Sequence, residues 1–361
     1  MLTQTMNKEI VMEKWNKRPL IISGPCSAET EEQVLETAKR LAATGKIDML
    51  RAGIWKPRTR PGSFEGIGTK GLPWLQKAKQ QTGLPITVEV ATGRQVEDAL
   101  HFDVDVLWIG ARTTVNPFSV QEVADALRGV DIPVLIKNPI NPDLDLWTGA
   151  VERVSKTGIK QIGLIHRGFS SYGNTEYRNA PMWHLAIEMK RRNPDMLIIN
   201  DPSHISGRRD ILLEVAQQAI DLDFDGLMIE AHIDPDNAWS DAAQQITPEK
   251  LSELLDGIIW RKEDINSEEF RGALEKLRQQ INHLDDELIH LLGQRMKIAD
   301  KIGEYKKENN ITILQTKRWN HILERAFLKG EKYGLSKEFI TKYFDAVHME
   351  SIHHQNKVFN S

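Results

Sequence analysis

The chain has 361 residues, a formal net charge of −4 and 27% charged residues, a composition typical of folded protein with more than one domain. The negative balance argues against general nucleic-acid binding. A single cysteine excludes an internal disulfide, and no apolar run reaches the ~18 residues of a membrane helix. Because the amino terminus also lacks the apolar core of a signal peptide, we expect a cytoplasmic protein with no nucleic-acid or membrane partner.

Between residues 20 and 260, short apolar segments alternate with amphipathic segments of helical periodicity. Near-continuous apolar strands joined by helices are typical of a parallel sheet that is buried on both faces. Eight such units in about 240 residues favour a closed (βα)8 TIM barrel over an open sheet, and the first strand is not followed by GxGxxG. Helices are predicted at 31–43, 117–127 and 209–222 among others, and strands at 20–24, 47–53, 86–90, 106–110, 133–137, 162–166, 196–200 and 226–230.

The periodicity changes after Trp260, where strand patterns stop and the polar segment 261–267 predicts a linker. Apolar residues then recur at helical spacing from 268 to about 307, a helix of roughly 60 Å, and two helices follow near 315–329 and 336–357. We therefore predict an α/β barrel domain at 1–260 and an all-α three-helix domain at 268–361. A helix this long cannot bury its apolar stripe against two shorter ones, so we expect the helical domain to form a homodimer.

The carboxyl ends of the predicted strands, where barrel enzymes place their active sites, carry an unusual set of charged side chains. Five cations at one mouth are expected to hold carboxylates and phosphates, and these are Arg51, Lys56, Arg112, Lys137 and Arg167. A thiol, an imidazole and two carboxylates form a candidate site for a divalent metal ion. That mixture suits Mn²⁺, Fe²⁺, Co²⁺ or Zn²⁺ rather than Mg²⁺, and its members are Cys26, His204, Glu230 and Asp241.

The barrel segment contains the motifs GPCSAE (24–29), RAGIWKPRT (51–59), IGARTT (109–114), IKN (136–138), HRG (166–168), DPSHISGRR (201–209), MIEAH (228–232) and SDAAQQ (240–245). These motifs resemble those of the type I 3-deoxy-D-arabino-heptulosonate 7-phosphate (DAHP) synthases, in their short bacterial form. The resemblance implies condensation of phosphoenolpyruvate with erythrose 4-phosphate. It assigns phosphoenolpyruvate to the five cations, the sugar phosphate to Arg58 and Thr59, and the metal to the four candidate ligands. Lys56 becomes the candidate for proton transfer near the aldehyde oxygen.

A related family, the 3-deoxy-D-manno-octulosonate 8-phosphate synthases, condenses the same donor with arabinose 5-phosphate. That family carries a KANRS-like motif where this chain has KPRT at 56–59. The difference favours DAHP synthase as the barrel activity.

The long predicted helix carries cations that could share an anionic substrate. Arg295 and Lys306 are 11 residues apart, which places them within ~20° around the helix and ~16 Å along it. Arg278 lies ~25 Å before Arg295 and needs an antiparallel partner helix to reach the same site. The motifs that surround these residues resemble those of the all-helical chorismate mutases, and they are LRQQINHLDDELIHLLGQR (277–295), EYKK (304–307), ILQTKRW (313–319) and ESIHHQ (350–355).

This second resemblance implies the rearrangement of chorismate to prephenate, which needs a compact substrate conformation but no metal, acid or base. Lys306 and Gln355 are implied to stabilise charge on the ether oxygen. Two positions depart from many relatives, because Gln315 replaces Asp and Trp319 replaces Glu, and those acids usually contact the substrate hydroxyl. The complete set of implied substrate residues is Arg278 (from the partner subunit), Arg295, Lys306, Gln315, Arg318, Ser351 and Gln355.

Together the two resemblances predict a bifunctional enzyme of the shikimate pathway that catalyses its first step and a branch-point step. An alternative is that the helical domain is a non-catalytic dimerisation and sensor module, although the intact set of cations favours catalysis. We expect any feedback control to act through the helical domain, with prephenate or chorismate bound at Arg295 and Lys306.

Overall fold

The computed structural model describes residues 2–57, 62, 64–172, 176–261 and 268–360. The chain divides into two compact units, Met1–Glu263 and Asp264–Ser361. The first unit contains a closed barrel of eight parallel strands paired in chain order, so the predicted (βα)8 fold is confirmed. The strands are β1 (Leu20–Gly24), β2 (Met49–Arg51), β3 (Ile86–Val90), β4 (Val106–Ile109), β5 (Val134–Lys137), β6 (Ile162–His166), β7 (Leu197–Asn200) and β8 (Gly226–Glu230).

Alternating strand residues face two separate buried clusters. Ile21 and Leu107 point outward into the cluster beneath the helices, whereas Leu20, Ile22 and Trp108 point into the barrel. This alternation is the pleat of a strand that is buried on both faces. The helices of this unit are α1 (Leu2–Asn16), α2 (Glu31–Ala43), α3 (Leu72–Thr82), α4 (Gly93–His101), α5 (Ala111–Thr114), α6 (Pro117–Ala126), α7 (Leu144–Ser155), α8 (Trp183–Arg192), α9 (Pro202–Ser206), α10 (Leu212–Asp221) and α11 (Pro248–Gly257).

Helix α1, which the sequence analysis did not predict, packs against the amino-terminal end of the barrel. Val11 and Trp15 are buried among the inward-facing strand residues. A Cβ atom at Gly163 would lie 3.2 Å from the indole of Trp15, so the glycine leaves room for that ring. One buried pair spaced four residues apart is too short a pattern to stand out as helical periodicity.

The second unit consists of α12 (Glu268–Glu308), α13 (Thr316–Glu331) and α14 (Lys337–Asn360), and the predicted helical region is confirmed. Its small core includes Met296, Ala299 and Val347. The amino-terminal half of α12 exposes a row of large apolar side chains, named here the α12 stripe, which comprises Phe270, Leu277, Ile281, Leu284, Leu288 and Leu291.

Within the described residues, no helix is both long enough and apolar enough to cross a membrane. Most of the predicted linker, residues 262–267, lies outside the described residues.

Candidate active sites

The carboxyl ends of the barrel strands bring buried charges of both signs to one mouth. Arg51 ends β2, Lys137 ends β5 and Glu230 ends β8, and all three are buried. Arg51 Nη2 lies 3.2 Å from Glu230 Oε1. Because charges buried this deeply are stable only when they are paired, the mouth is a tightly coupled electrostatic site.

The indole of Trp108 lies beneath two of these cations. Arg51 Cζ is 5.0 Å and Lys137 Nζ is 5.9 Å from the ring centroid, within the range of cation–π attraction. The ring is held by a hydrogen bond of 3.0 Å from its Nε1 to Glu89 Oε2. No role was predicted for Trp108, because an apolar residue inside a strand has the pattern of a core residue.

Arg51 also has hydrogen-bond donors that are not used within the described chain. Its Nε and Nη1 are buried and make no hydrogen bond within the described part of the chain. Leaving such donors unsatisfied costs about 1–3 kcal/mol each. A bound anion would satisfy them, which makes Arg51 the centre of a candidate anion site.

Asp201, directly after β7, joins a cation of the mouth to a candidate metal ligand. It accepts a hydrogen bond of 2.7 Å from Lys137 Nζ and lies 2.8 Å from His204 Nδ1. Although burial alone would raise the pKa of Asp201, the charges of His204, Lys137 and Arg51 hold that pKa well below its usual range. Burial lowers the pKa of His204. Since Nδ1 faces Asp201, Nε2 is the ring nitrogen that a metal could take.

Three of the four predicted metal ligands come together directly. Cys26, Glu230 and Asp241 offer ligand atoms that all lie within 4.8 Å of one another, with Cys26 Sγ 3.3 Å from Asp241 Oδ2. His204 Nε2 lies 3.7 Å from Glu230 Oε1. Donors bound to one ion at ~2.0–2.3 Å in tetrahedral geometry are roughly 3.3–3.8 Å apart. The four side chains are therefore spaced so that small shifts would let them share an ion.

The buried surroundings of Cys26 strongly affect its thiol. Burial, followed by the negative charge of Glu230, raises the pKa of the Cys26 thiol to about 12. A thiol in that environment keeps its proton unless a cation replaces it. Lys56 Nζ lies 2.9 Å from Cys26 Sγ and donates a hydrogen bond to the Cys26 carbonyl, which brings Lys56 to the same site.

Two buried polar side chains fix the loops that carry Cys26 and Asp241. Gln245 accepts a hydrogen bond from the Cys26 backbone N–H and donates one to the Ser240 carbonyl, both at 2.8 Å. Glu29 accepts a hydrogen bond of 2.7 Å from the backbone N–H of Trp239. Neither residue was predicted to have a role, because contacts between side chains and distant backbone atoms leave no periodic signal in the sequence.

The remaining predicted barrel residues lie at different depths. Burial lowers the pKa of Arg167 to about 10, which still leaves the guanidinium charged at neutral pH. The positive charges of Arg178 and Arg112 contribute to the same lowering, so both lie within electrostatic range of Arg167, although Arg112 itself is exposed. Arg58 and Thr59, the predicted site for the sugar phosphate, lie outside the described residues.

In the helical unit, a cavity of about 310 Å³ lies between α12, α13 and α14. Arg278 is exposed on the amino-terminal half of α12 and is not among the described residues that line the cavity. The other six predicted substrate residues do line it, and they are Arg295, Lys306, Gln315, Arg318, Ser351 and Gln355.

The polar groups of this cavity are only partly satisfied. Arg295 donates a hydrogen bond to Ser351 Oγ, which itself donates to the Val347 carbonyl at 2.8 Å. Burial lowers the pKa of Arg295 and of Lys306, as expected for cations without a full set of partners. Gln355 Oε1 is buried without a hydrogen-bond partner in the described chain. The cations of the cavity therefore favour a small ligand that carries negative charge, and Gln355 Oε1 favours a hydrogen-bond donor on that ligand.

A family model of the DAHP synthetase I family matches residues 3–267. The chain belongs to the DAHP synthetase I family. A second model, chorismate mutase type II, matches residues 277–356. The fusion of a DAHP synthase barrel to a chorismate mutase domain, predicted from the sequence motifs, is thereby confirmed.

Individual relatives agree with the family. Phospho-2-dehydro-3-deoxyheptonate aldolase of Thermotoga maritima is 32% identical over 235 residues, which are 65% of this chain and 67% of the relative. A 2-dehydro-3-deoxyphosphooctonate aldolase of Legionella pneumophila (strain Lens) is 29% identical over 266 residues, which are 67% of this chain and 91% of the relative.

Solved structures extend the likeness to the fold. The crystal structure of the Thermotoga maritima DAHP synthase matches with a TM-score of 0.60 at 31% identity, over 67% of this chain and 68% of that one. A truncated form of the same enzyme gives 0.58 at 28% identity, over 67% and 85% of the two chains.

Proposed function

We propose that this chain is a bifunctional enzyme of the shikimate pathway. Its DAHP synthase barrel joins phosphoenolpyruvate, erythrose 4-phosphate and water to give DAHP and inorganic phosphate. Its helical domain converts chorismate to prephenate. The observation that best supports the condensation activity is the buried guanidinium of Arg51. Some of its hydrogen-bond donors have no partner in the described chain, and it lies beside a cluster of thiol, imidazole and carboxylate groups.

In the barrel, phosphoenolpyruvate would bind to Arg51, Lys56, Arg112, Lys137 and Arg167. The unpaired donors of Arg51 match the oxygens of a carboxylate or phosphate. Trp108 supports this role, because a cation resting on a rigid ring is already oriented before the substrate arrives. Arg58 and Thr59 are proposed to hold the phosphate of the sugar, on sequence grounds alone.

A divalent metal, such as Mn²⁺, Fe²⁺, Co²⁺ or Zn²⁺, would be held by Cys26, His204, Glu230 and Asp241. When bound, it would polarise the aldehyde of the sugar phosphate as a Lewis acid. Lys56, whose ammonium lies 2.9 Å from Cys26 Sγ, would supply a proton to the developing alkoxide. The cations of the mouth would hold the donor in line with the aldehyde and keep it from diffusing away.

The barrel proposal is tested by measuring phosphate release with phosphoenolpyruvate and either of two aldehydes. We expect turnover with erythrose 4-phosphate and a loss of at least about a hundredfold in Arg51→Met, because a buried charge-assisted contact to the anion is removed. Arg40→Met, an exposed change on α2, is the matched control. Preferential turnover of arabinose 5-phosphate would instead identify an octulosonate 8-phosphate synthase.

In the helical domain, Arg295 and Arg318 would bind the two carboxylates of chorismate. Lys306 and Gln355 would donate to the ether oxygen, where negative charge grows as the bond breaks. Gln315 and Ser351 would complete the wall of the cavity. The domain then accelerates the reaction by holding the reactive conformation, without acid–base chemistry.

The mutase proposal is tested by following prephenate formation by the full chain. Lys306→Met is expected to reduce kcat by about 10²–10³-fold, because one donor to the developing charge is removed. Lys337→Met, at the exposed start of α14, is the matched control. Tight binding of chorismate without any turnover in the parent chain would support the alternative, a non-catalytic sensor module.

We also propose that two helical domains pair through the α12 stripe. Its exposed leucines and isoleucines, with Leu284 60% exposed, would be buried against a second copy at roughly 25 cal/mol per Å². An antiparallel partner would bring the partner's Arg278 to the cavity, a distance of ~25 Å along one helix. Sedimentation of the parent chain and of Leu284→Lys tests this pairing, since the charged variant is expected to be monomeric.

Feedback control through the helical domain, by prephenate or chorismate at Arg295 and Lys306, is a further proposal that rests on the sequence. It requires different affinity of the ligand for two states of the protein, typically ~1–3 kcal/mol. Cleaving the chain within 261–267 and assaying condensation with and without prephenate tests it.

A cytoplasmic location, supported by the single cysteine, is likewise proposed.

A further inference from the structure

An unassigned histidine lines the mutase cavity. His348 lies on α14, three residues before Ser351 and seven before Gln355, so the three share one face of the helix. It lines the same cavity as Arg295, Lys306 and Arg318. The function proposed above gives this residue no part in catalysis.

The imidazole of His348 is held by a ring on another helix. The indole of Trp319, on α13, stacks on it with a centroid distance of 4.2 Å and an interplanar angle of 13°. A flat stack covers one face of the imidazole and restrains its rotation, while the polar ring edge is left to make hydrogen bonds. Trp319 thus fixes where the two ring nitrogens lie.

One of those nitrogens lacks a partner. His348 Nε2 is buried and makes no hydrogen bond within the part of the chain that the structure describes. Burial, and then the positive charges of Arg295 and Lys306, lower the pKa of His348. A neutral ring that carries its proton on Nδ1 has Nε2 as its acceptor. A buried polar atom without a partner, in the wall of a substrate cavity, is explained by a partner on the substrate.

The other polar groups of the cavity indicate which group of the substrate would pair with His348 Nε2. Arg295, Arg318 and Lys306 are donors only, so they match the two carboxylates and the ether oxygen of chorismate. The remaining polar group of chorismate is its ring hydroxyl, whose proton needs an acceptor. Ser351 Oγ is already engaged with Arg295 and Val347, and Gln315 is exposed. Gln355 Oε1 is a second acceptor without a partner in the described chain, but the amide of Gln355 is assigned to the ether oxygen, whereas His348 has no other role in the site.

We propose that His348 is a further substrate-contacting residue of the mutase site, which accepts the proton of the chorismate ring hydroxyl at Nε2, and that Trp319 is the positioning residue which holds it there. The inference rests on the proposed mutase activity. It also gives a reason for an aromatic residue at position 319, since a smaller side chain would leave the imidazole free to turn.

The test compares full-length His348→Phe with the parent chain, because phenylalanine keeps the stack and removes the nitrogens. With chorismate, kcat/KM is expected to fall about ten-fold, as for the loss of one hydrogen bond in a buried site. His348→Gln, whose amide reaches the Nε2 position, should recover most of that loss, whereas His348→Asn, which is shorter, should not. His353→Phe, an exposed change on the same helix, is the control.

A substrate analogue distinguishes a direct contact with the ring hydroxyl from an indirect effect on the structure of the cavity. Chorismate methylated at the ring hydroxyl cannot donate that proton, so the parent chain should discriminate against it about ten-fold more strongly than His348→Phe does. Equal discrimination by the two proteins, or full activity of His348→Phe on chorismate, would overturn the inference while leaving the mutase activity in place. If the parent chain itself forms no prephenate, the proposed mutase function fails first, and the inference with it.

Discussion

Gln245 offers a sharp test of how the barrel organises its metal ligands. Its amide spans the two loops that carry Cys26 and Asp241, with one hydrogen bond from the Cys26 N–H and another to the Ser240 carbonyl. Gln245→Met keeps nearly the same shape and removes both bonds. The metal ligands themselves are untouched.

The expected magnitude follows from those two contacts. Each buried hydrogen bond contributes about 0.5–1.5 kcal/mol, so their joint loss is about 1–3 kcal/mol. If the loops separate when the amide is lost, most of this free energy is lost from metal binding, which corresponds to about 5–100-fold in the dissociation constant at ~1.4 kcal/mol per decade. We expect the dissociation constant for Co²⁺ to rise by that factor, with the cobalt–thiolate absorption band retained at saturation.

The assay is a titration of chelator-treated protein with Co²⁺ in competition with a chelator of known affinity. Gln80→Met, on the exposed face of α3, controls for the substitution itself. Thermal unfolding of the metal-free proteins shows how much of the lost free energy falls on the barrel instead. An unchanged dissociation constant in a folded Gln245→Met would refute the view that this amide positions the ligands.

Three further outcomes are expected. Cys26→Ala should remain folded but lose most condensation activity, and in the parent chain a chelator should abolish condensation and Mn²⁺ restore it; full activity of metal-free Cys26→Ala would contradict the metal assignment. Trp108→Phe should raise the KM for phosphoenolpyruvate several-fold with an unchanged Co²⁺ dissociation constant, because it weakens the ring beneath Arg51. Mixed dimers of Arg278→Ala and Arg295→Ala chains should regain mutase activity, and proven heterodimers without activity would rule out a shared site.

The sequence predicted the barrel well because each strand is buried on both faces. Such a strand is a short apolar run bounded by polar residues, and β1, β3, β6 and β8 span the predicted ranges 20–24, 86–90, 162–166 and 226–230. The ends of the strands were equally informative, since a residue that directly follows an apolar run lies at the carboxyl end of a barrel strand, where the active site is. By contrast, β2 covers Met49–Arg51 rather than 47–53, because its paired residues are limited to Met49 and Leu50 with β1, and to Leu50 and Arg51 with β3.

What the sequence did not predict are the residues that act through contacts distant along the chain. Gln245 meets Cys26 across 219 positions, and Glu29 meets Trp239 across 210. Trp108 and His348 have the spacing of ordinary helix or strand residues, and only the ring contacts distinguish them. Helix α1 was missed for a related reason, since its buried residues Val11 and Trp15 pack on strands that come later in the sequence.

The pairing of β1 with β8 has a consequence for the order in which the chain acquires its structure. Ser23 in β1 donates a hydrogen bond to the Ile229 carbonyl in β8, 206 positions later, whereas the strand pairs in between join neighbours in sequence. Contacts between distant positions form slowly, because the loop they close is long. During synthesis β1 must therefore keep one edge unpaired until β8 leaves the ribosome, so this edge is open to non-native pairing for longer than the edges between strands that are neighbours in sequence.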